Sequence, residues 1–234
     1  MRPLLIETLR VHADGRMPLL PWHLERLAAS SQALDYRWSV DAVQRAIARH
    51  VAALPEGDEH RVRITVADNG QVRIETSLLP PLAPLPQVGL ADQRLLSTEP
   101  WLRHKSTHRP WYAEASAWLS GQSALFDLVF LNERGEVCEG SRSNVYLRLE
   151  GRWWTPPTHC GVLPGAQRAA LLDDEAVAER VLTRADWDHA EGWRLSNALR
   201  GWFDVQPVPT AHMPSSTSLA AASPMAAVTV TTEP

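Results

Sequence analysis

Apolar and polar residues alternate from Leu5 to Val11. Leu5, Leu9 and Val11 share one side with Glu7, while Ile6, Thr8 and Arg10 take the other. Period two predicts a strand, and Asp14-Gly15 marks a turn after it. The period then lengthens. Leu24, Leu27, Ala28 and later Leu34 are spaced for one face of a helix, with Pro21 near its start, where a missing N–H costs little. Val43, Ala46, Ile47 and Val51 predict a second helix over 41–53, with Ser39 as its N-cap. Alternation returns over 61–66 and 71–76. Asp68-Asn69-Gly70 between them tolerates positive φ and predicts a hairpin.

A proline-rich stretch, Leu79-Pro80-Pro81-Leu82-Ala83-Pro84-Leu85-Pro86, follows. It supports neither helix nor sheet and reads as a stiff linker between two lobes, with a long surface loop as the alternative. Beyond it the pattern predicts strands near 88–91, 128–131, 137–139, 144–149, 153–155 and 193–196, and helices over 111–119 and from 165 to 172. From His212 to Pro234 the chain is rich in Ser, Thr, Ala and Pro and predicts a disordered tail. The expected organisation is a small lobe over 1–79, a linker over 80–86, a larger lobe over 87–211 and a tail over 212–234. Strands and helices mix without a steady βαβ rhythm, which favours α+β over a doubly wound fold. No dinucleotide-binding or P-loop glycine motif occurs.

Composition narrows the function classes. The 234 residues are 44% hydrophobic and 21% charged, an ordinary soluble balance. Lys and Arg total 23 against 27 Asp and Glu, a formal net charge of −4 that argues against nucleic acid or anionic membrane as partner. No apolar run approaches the roughly 20 residues of a membrane span, and the N-terminus lacks a signal-peptide pattern. Cys138 and Cys160 do not make a disulfide framework, so a cytoplasmic setting is expected. No metal site is expected.

Four places carry candidate chemistry. Lys105, the only lysine of the chain, lies among Arg103, His104, His108 and Arg109. Nearby positive charge and burial turn a lysine into a nucleophile, and an amine condenses with an aldehyde where a guanidinium does not; on residue type alone a solvated lysine accounts for it as well. Glu139 ends a predicted strand, where a carboxylate can hold a protonated pyridine nitrogen or simply sit at a sheet edge. The run Cys160-Gly161-Val162-Leu163-Pro164-Gly165-Ala166-Gln167-Arg168 leads a loop into a helix, whose free N–H groups suit phosphate. Arg26 lies on the first helix and can grip a phosphate or face solvent.

The order and spacing of these pieces resemble the class IV aminotransferases, the fold-type IV pyridoxal-phosphate enzymes. The resemblance rests on His23-Leu24-Glu25-Arg26-Leu27, Lys105, Glu139-Gly140-Ser141-Arg142-Ser143-Asn144-Val145-Tyr146, Trp154-Thr155-Pro156-Pro157 and Leu163-Pro164-Gly165-Ala166-Gln167-Arg168, and spans about 4–208. It implies an α+β fold with a small N-terminal α/β lobe and a larger pseudo-barrel lobe, pyridoxal 5'-phosphate between them, and a homodimer. It further implies that Lys105 anchors the cofactor aldehyde, Arg26 binds its phosphate, Glu139 pairs with its ring nitrogen and Asn144 lines the same side. Leu163 would pack on the ring, with the backbone of Ala166 and Gln167 at the phosphate and Ala198 beside it.

Within that family the chain looks most like the 4-amino-4-deoxychorismate lyases, which release 4-aminobenzoate and pyruvate in folate precursor synthesis. Arg109 follows Lys105 by four residues, Ser196-Asn197-Ala198-Leu199 resembles a lyase stretch, and Thr8 matches a threonine that assists proton transfer there. Lys105 is the expected general base, Arg109 and Arg63 the expected partners of the substrate's two carboxylates, and Asn197 a further substrate contact. The chain departs from the family at Gln167 and Ala198, where hydroxyl residues are common, at His108, and in beginning after the family's usual first strand. Two other readings stand beside this one: an aminotransferase acting on branched-chain or D-amino acids, and a catalytically silent relative that binds an anion or a partner.

Overall fold

The structure is a computed structural model and describes residues 2–122 and 124–209. The tail expected over 212–234 lies outside the described residues. The first half builds β1 (Leu5–Val11), α1 (Leu20–Ala33), α2 (Val40–Val51), β2 (His60–Val66) and β3 (Val72–Leu78). The three strands form one antiparallel sheet in the order β1-β2-β3. α2 begins where the Ser39 hydroxyl accepts the Ala42 amide, with Asp41 in its first turn and Arg49 and His50 in its last, each complementing the helix dipole. Leu5, Leu9, Val11, Leu27, Val43, Ile47, Val62, Ile64 and Val66 close one apolar core between sheet and helices. Glu7 lies on that same side of β1 and is buried.

The segment after β3 has no regular structure until β4 (Gln87–Leu95). Then come α3 (Ala113–Leu119), β5 (Leu125–Asn132), β6 (Val137–Gly140), β7 (Asn144–Leu149), β8 (Arg152–Thr155), α4 (Ala166–Asp173), β9 (Ala178–Glu179), α5 (Arg184–His189), β10 (Gly192–Asn197), β11 (Gly201–Asp204) and β12 (Gln206–Pro207). The second sheet runs β11-β10-β7-β6-β5-β4-β12, with β8 against β7 and β9 against β8. β4 pairs parallel with both β5 and β12, whereas β5 to β7 form an antiparallel meander. The arrangement is the expected α+β architecture, with a smaller and a larger sheet.

The structure corrects several expected elements. β4 extends four residues past Ala91. The helix expected from Trp111 opens as a 3₁₀ turn over Pro110–Tyr112 and becomes α-helical only at Ala113, because Pro110 fixes the entry. α5, β9, β11 and β12 have no counterpart in the sequence reading. None exceeds six residues, too short for a period to register.

The two sheets meet at the Lys105 segment. The Ile6 amide donates to the Lys105 carbonyl at 2.8 Å and the Thr107 amide to the Leu4 carbonyl at 2.9 Å. Leu5 and Ser106 form an antiparallel bridge. The Leu4 amide also donates to Oγ1 of Thr107. Residues 105–107 are thus joined to the edge of the small sheet, though they belong in sequence to the larger half.

Candidate active site between the two sheets

A cavity of about 380 Å³ opens between the sheets. Its walls include every site residue expected from the sequence: Thr8, Arg26, Arg63, Lys105, Arg109, Glu139, Asn144, Leu163, Ala166, Gln167, Asn197 and Ala198. Residues from opposite ends of the chain converge because β1, β6, β7, β10 and the N-terminus of α4 all border the same space.

Thr8 reaches the cavity because Glu7 and Leu9 take the core face of β1 and leave Thr8 the other. It pairs in register with Arg63 of β2, and Arg61, two residues along, shares that face and also lines the cavity. Sequence reasoning missed Arg61, although its spacing from Arg63 carried the signal. Arg63 has one distant ionic neighbour, the exposed Glu75 at 3.8 Å. Arg142 lines the cavity as well, its Nε donating 2.8 Å to the Phe126 carbonyl.

Glu139 is buried, directly opposite Asn144 in the β6–β7 register. Its Oε1 accepts the Tyr112 hydroxyl at 2.8 Å; its Oε2 accepts the Leu163 amide at 2.9 Å and the Asn144 amide group at 3.3 Å. Burial nonetheless pushes its carboxyl up to about 7, against the opposing pull of the Tyr112 and Leu163 donors and the cations Arg109 and Lys105. A cation set against Glu139 would restore its charge. Tyr112 was not singled out as a site residue, since its ring reads as core.

The turn from Glu139 to Asn144 is shaped by Asp127, a buried acid in the apolar strand β5. Its Oδ1 accepts the amides of Leu128 and Ser141 and the Ser141 hydroxyl; its Oδ2 accepts the Arg142 amide and the Ser143 hydroxyl at 2.6 Å. Gly140 is required there, because a Cβ would overlap the Asp127 carboxylate. A lone acid in Leu125-Phe126-Asp127-Leu128-Val129 was the sequence signal for this hub.

Lys105 is half-buried and lines the cavity. Its amine is pushed down to about 7, first by burial and then by Arg26 and Arg109, with Glu7 and Glu139 opposing. A large fraction is therefore neutral and nucleophilic near pH 7. Arg109 is partly committed elsewhere: its Nη2 donates to the Ser141 carbonyl and its guanidinium lies over the Tyr112 ring, 4.9 Å from the centroid.

At the other end, Gly165 caps α4 without a side-chain hydrogen bond, and the first helical residues, Ala166 and Gln167, line the cavity with first-turn amides that no side chain satisfies. Arg26 stands beside them, its Nη1 donating 2.9 Å to the Pro164 carbonyl. Glu7 takes Nε at 2.9 Å and Nη2 at 2.5 Å. On β10, the Asn197 Oδ1 accepts the amides of Leu199 and Arg200. The cavity thus has an electropositive end, a lysine whose pKa is lowered to about 7 and a buried carboxylate.

Among the described residues there is no cluster of three His, Cys, Asp or Glu side chains suited to a metal, and no helix among them is long and apolar enough to cross a membrane. A Schizosaccharomyces pombe protein provisionally named an aminodeoxychorismate lyase is 31% identical over 204 residues, covering 83% of this chain and 87% of its own. The structure of a provisionally named amino-acid aminotransferase from Mesorhizobium loti superposes with a TM-score of 0.81 at 29% identity, covering 88% of this chain and all of the other. The 4-amino-4-deoxychorismate lyase of Pseudomonas aeruginosa shares the fold, with a TM-score of 0.74 at 24% identity over 90% of this chain and 84% of its own. Residues 4–208 match the family described as Amino-transferase class IV, and the chain belongs to it.

Proposed function

We propose that this protein is a pyridoxal-phosphate lyase that converts 4-amino-4-deoxychorismate to 4-aminobenzoate and pyruvate. The carrying observation is the row of arginines along the cavity wall. Arg61, Arg63, Arg109 and Arg142 line the cavity, and among the described residues Glu139 is the only acid lining it. A substrate with two carboxylates matches such a wall; a branched-chain amino acid, with one carboxylate and an apolar side chain, uses it poorly.

The cofactor of this family is pyridoxal 5'-phosphate, and the residues present fit it. The uncapped α4 N-terminus and Arg26 suit a phosphate. Glu139, a buried carboxylate whose charge burial disfavours, suits a protonated ring nitrogen. Lys105 is the matching amine, and Leu163, Asn144 and Ala198 complete the walls. Once bound, the cofactor supplies an electron sink for the carbon next to the substrate nitrogen.

The chain's own groups then move protons and hold charge. Lys105, with a pKa of about 7, takes the proton from the ring carbon that bears the amine. The C–O bond to the neighbouring enolpyruvyl group breaks, the ring becomes aromatic, and a proton ends on the methyl carbon of pyruvate. Thr8 and Lys105 are the donors placed to deliver it. Arg63 and Arg61 hold one carboxylate, and Arg109 with Asn197 faces the other. The same reading carries a role in folate precursor synthesis, a cytoplasmic setting and a homodimer.

The test is incubation with 4-amino-4-deoxychorismate, made in situ from chorismate and ammonia by its synthase. 4-Aminobenzoate and pyruvate should appear in equal amounts. The Mesorhizobium loti likeness supports a second reading, amino-group transfer. It predicts instead a keto acid from a branched-chain or D-amino acid donor, with no 4-aminobenzoate.

A further inference from the structure

Among the buried titratable residues to which the proposed chemistry gives no task are Glu7 and His23, each 2% exposed. We propose that Glu7, braced by His23, is a positioning residue for phosphate binding. It locks the Arg26 guanidinium so that the N–H groups Arg26 has left point toward the N-terminus of α4.

The geometry is specific. Arg26 presents one planar edge, Nε and Nη2, to both oxygens of Glu7 at 2.9 and 2.5 Å. This two-point grip fixes the guanidinium plane as a single contact does not. A third bond, Nη1 to the Pro164 carbonyl, sets the far end against the residue preceding Gly165. Of the five guanidinium N–H groups, three are spent on the protein. Glu7 is in turn held by His23, whose Nδ1 lies 2.6 Å from Oε2. Burial opposes the charge on Glu7, yet Arg26 and His23 outweigh it and hold the carboxyl at about 2, so the lock is closed at every working pH. A buried charge pair is weak support for stability, and retention of an acid on the core face of β1 has a better reason in orientation.

The inference rests on the reading of Arg26 as phosphate ligand, and the experiment separates the two. The full-length protein, stripped of cofactor, is titrated with pyridoxal phosphate and with pyridoxal, which lacks the phosphate. Glu7→Gln should weaken pyridoxal phosphate binding roughly 10- to 100-fold, the range for losing bonds to a charged group, and leave pyridoxal binding unchanged. Pyridoxal binding also reports that the variant is folded and that Lys105 still reacts. Glu7→Asp, which keeps the charge with a shorter reach, should show the same phosphate-selective loss. Arg26→Lys should lose a similar factor, and Glu7→Gln added to Arg26→Lys should lose little more, because both remove one unit. Equal losses for both ligands, unchanged pyridoxal phosphate binding in Glu7→Gln, or additive losses overturn the positioning role. Unchanged binding in Arg26→Lys overturns the Arg26 reading itself, and this one with it.

Discussion

Gly165 has no room for a side chain, because a Cβ there would overlap Oδ1 of Asn144. Asn144 also donates to the Leu163 carbonyl at 3.0 Å and to Glu139, so the glycine admits the side chain that links the α4 entry to the buried carboxylate. Gly165→Ala should displace Asn144 and lower stability by about 1–3 kcal/mol, the usual cost of overpacking. Denaturant unfolding of the two proteins measures it.

Lys105→Ala should abolish turnover. Borohydride should fix the cofactor to the wild-type chain at Lys105, seen as a peptide mass increase, and leave the variant unmodified. The rate at which cofactor-free protein captures pyridoxal phosphate should rise with pH through about 7 and then level off, because the neutral amine is the reactive form. A lysine of ordinary pKa would keep accelerating toward pH 10.

Glu139 gives the cofactor-free protein a distinctive pH response. Its pKa of about 7 lies above the usual 4.5, so between these values the folded state holds a proton that the unfolded state has released. Its contribution to stability is therefore full below pH 4.5 and falls as pH rises to 7. Glu139→Gln should remove that fall, so the melting temperatures of wild type and variant should diverge across this window. The variant should keep the cofactor and turn over at least tenfold more slowly, since its amide does not hold a ring cation.

Arg61 and Arg63 give the substrate test. Arg61→Gln and Arg63→Gln should each raise KM for the two-carboxylate substrate about tenfold or more while cofactor affinity stays unchanged. Arg109→Ala should behave differently. Its guanidinium also holds the Ser141 carbonyl and covers Tyr112, so both substrate and cofactor affinity should fall.

Asp127→Asn should loosen the turn that presents Glu139. The amide nitrogen that replaces Oδ2 is a donor facing the Arg142 amide, which loses its acceptor, while the Ser143 hydroxyl has to turn and accept instead of donating. A loss of about 2–4 kcal/mol is expected, read by thermal unfolding without cofactor.

Much of this was legible in the chain because the strongest periods bear the site. The alternation of β1 assigned Thr8 to the open face, and the 3.6-residue period placed Arg26 on a helix. Lys105 stood out through its solitude among arginines. What stayed hidden depends on distant contact. Tyr112 looks like core until its hydroxyl meets Glu139. Asp127 looks like a flaw in an apolar strand until the 140–143 turn folds around it. Glu7 reads as one more polar residue until the buried Arg26 arrives from α1. No local period encodes such pairings, because each joins residues at least 14 positions apart.

The backbone bonds between Leu4–Ile6 and Lys105–Thr107 have a mechanical consequence. The main chain at Lys105 is stitched to one half of the molecule by hydrogen bonds while it continues into the other, so prising the halves apart would first unzip that seam.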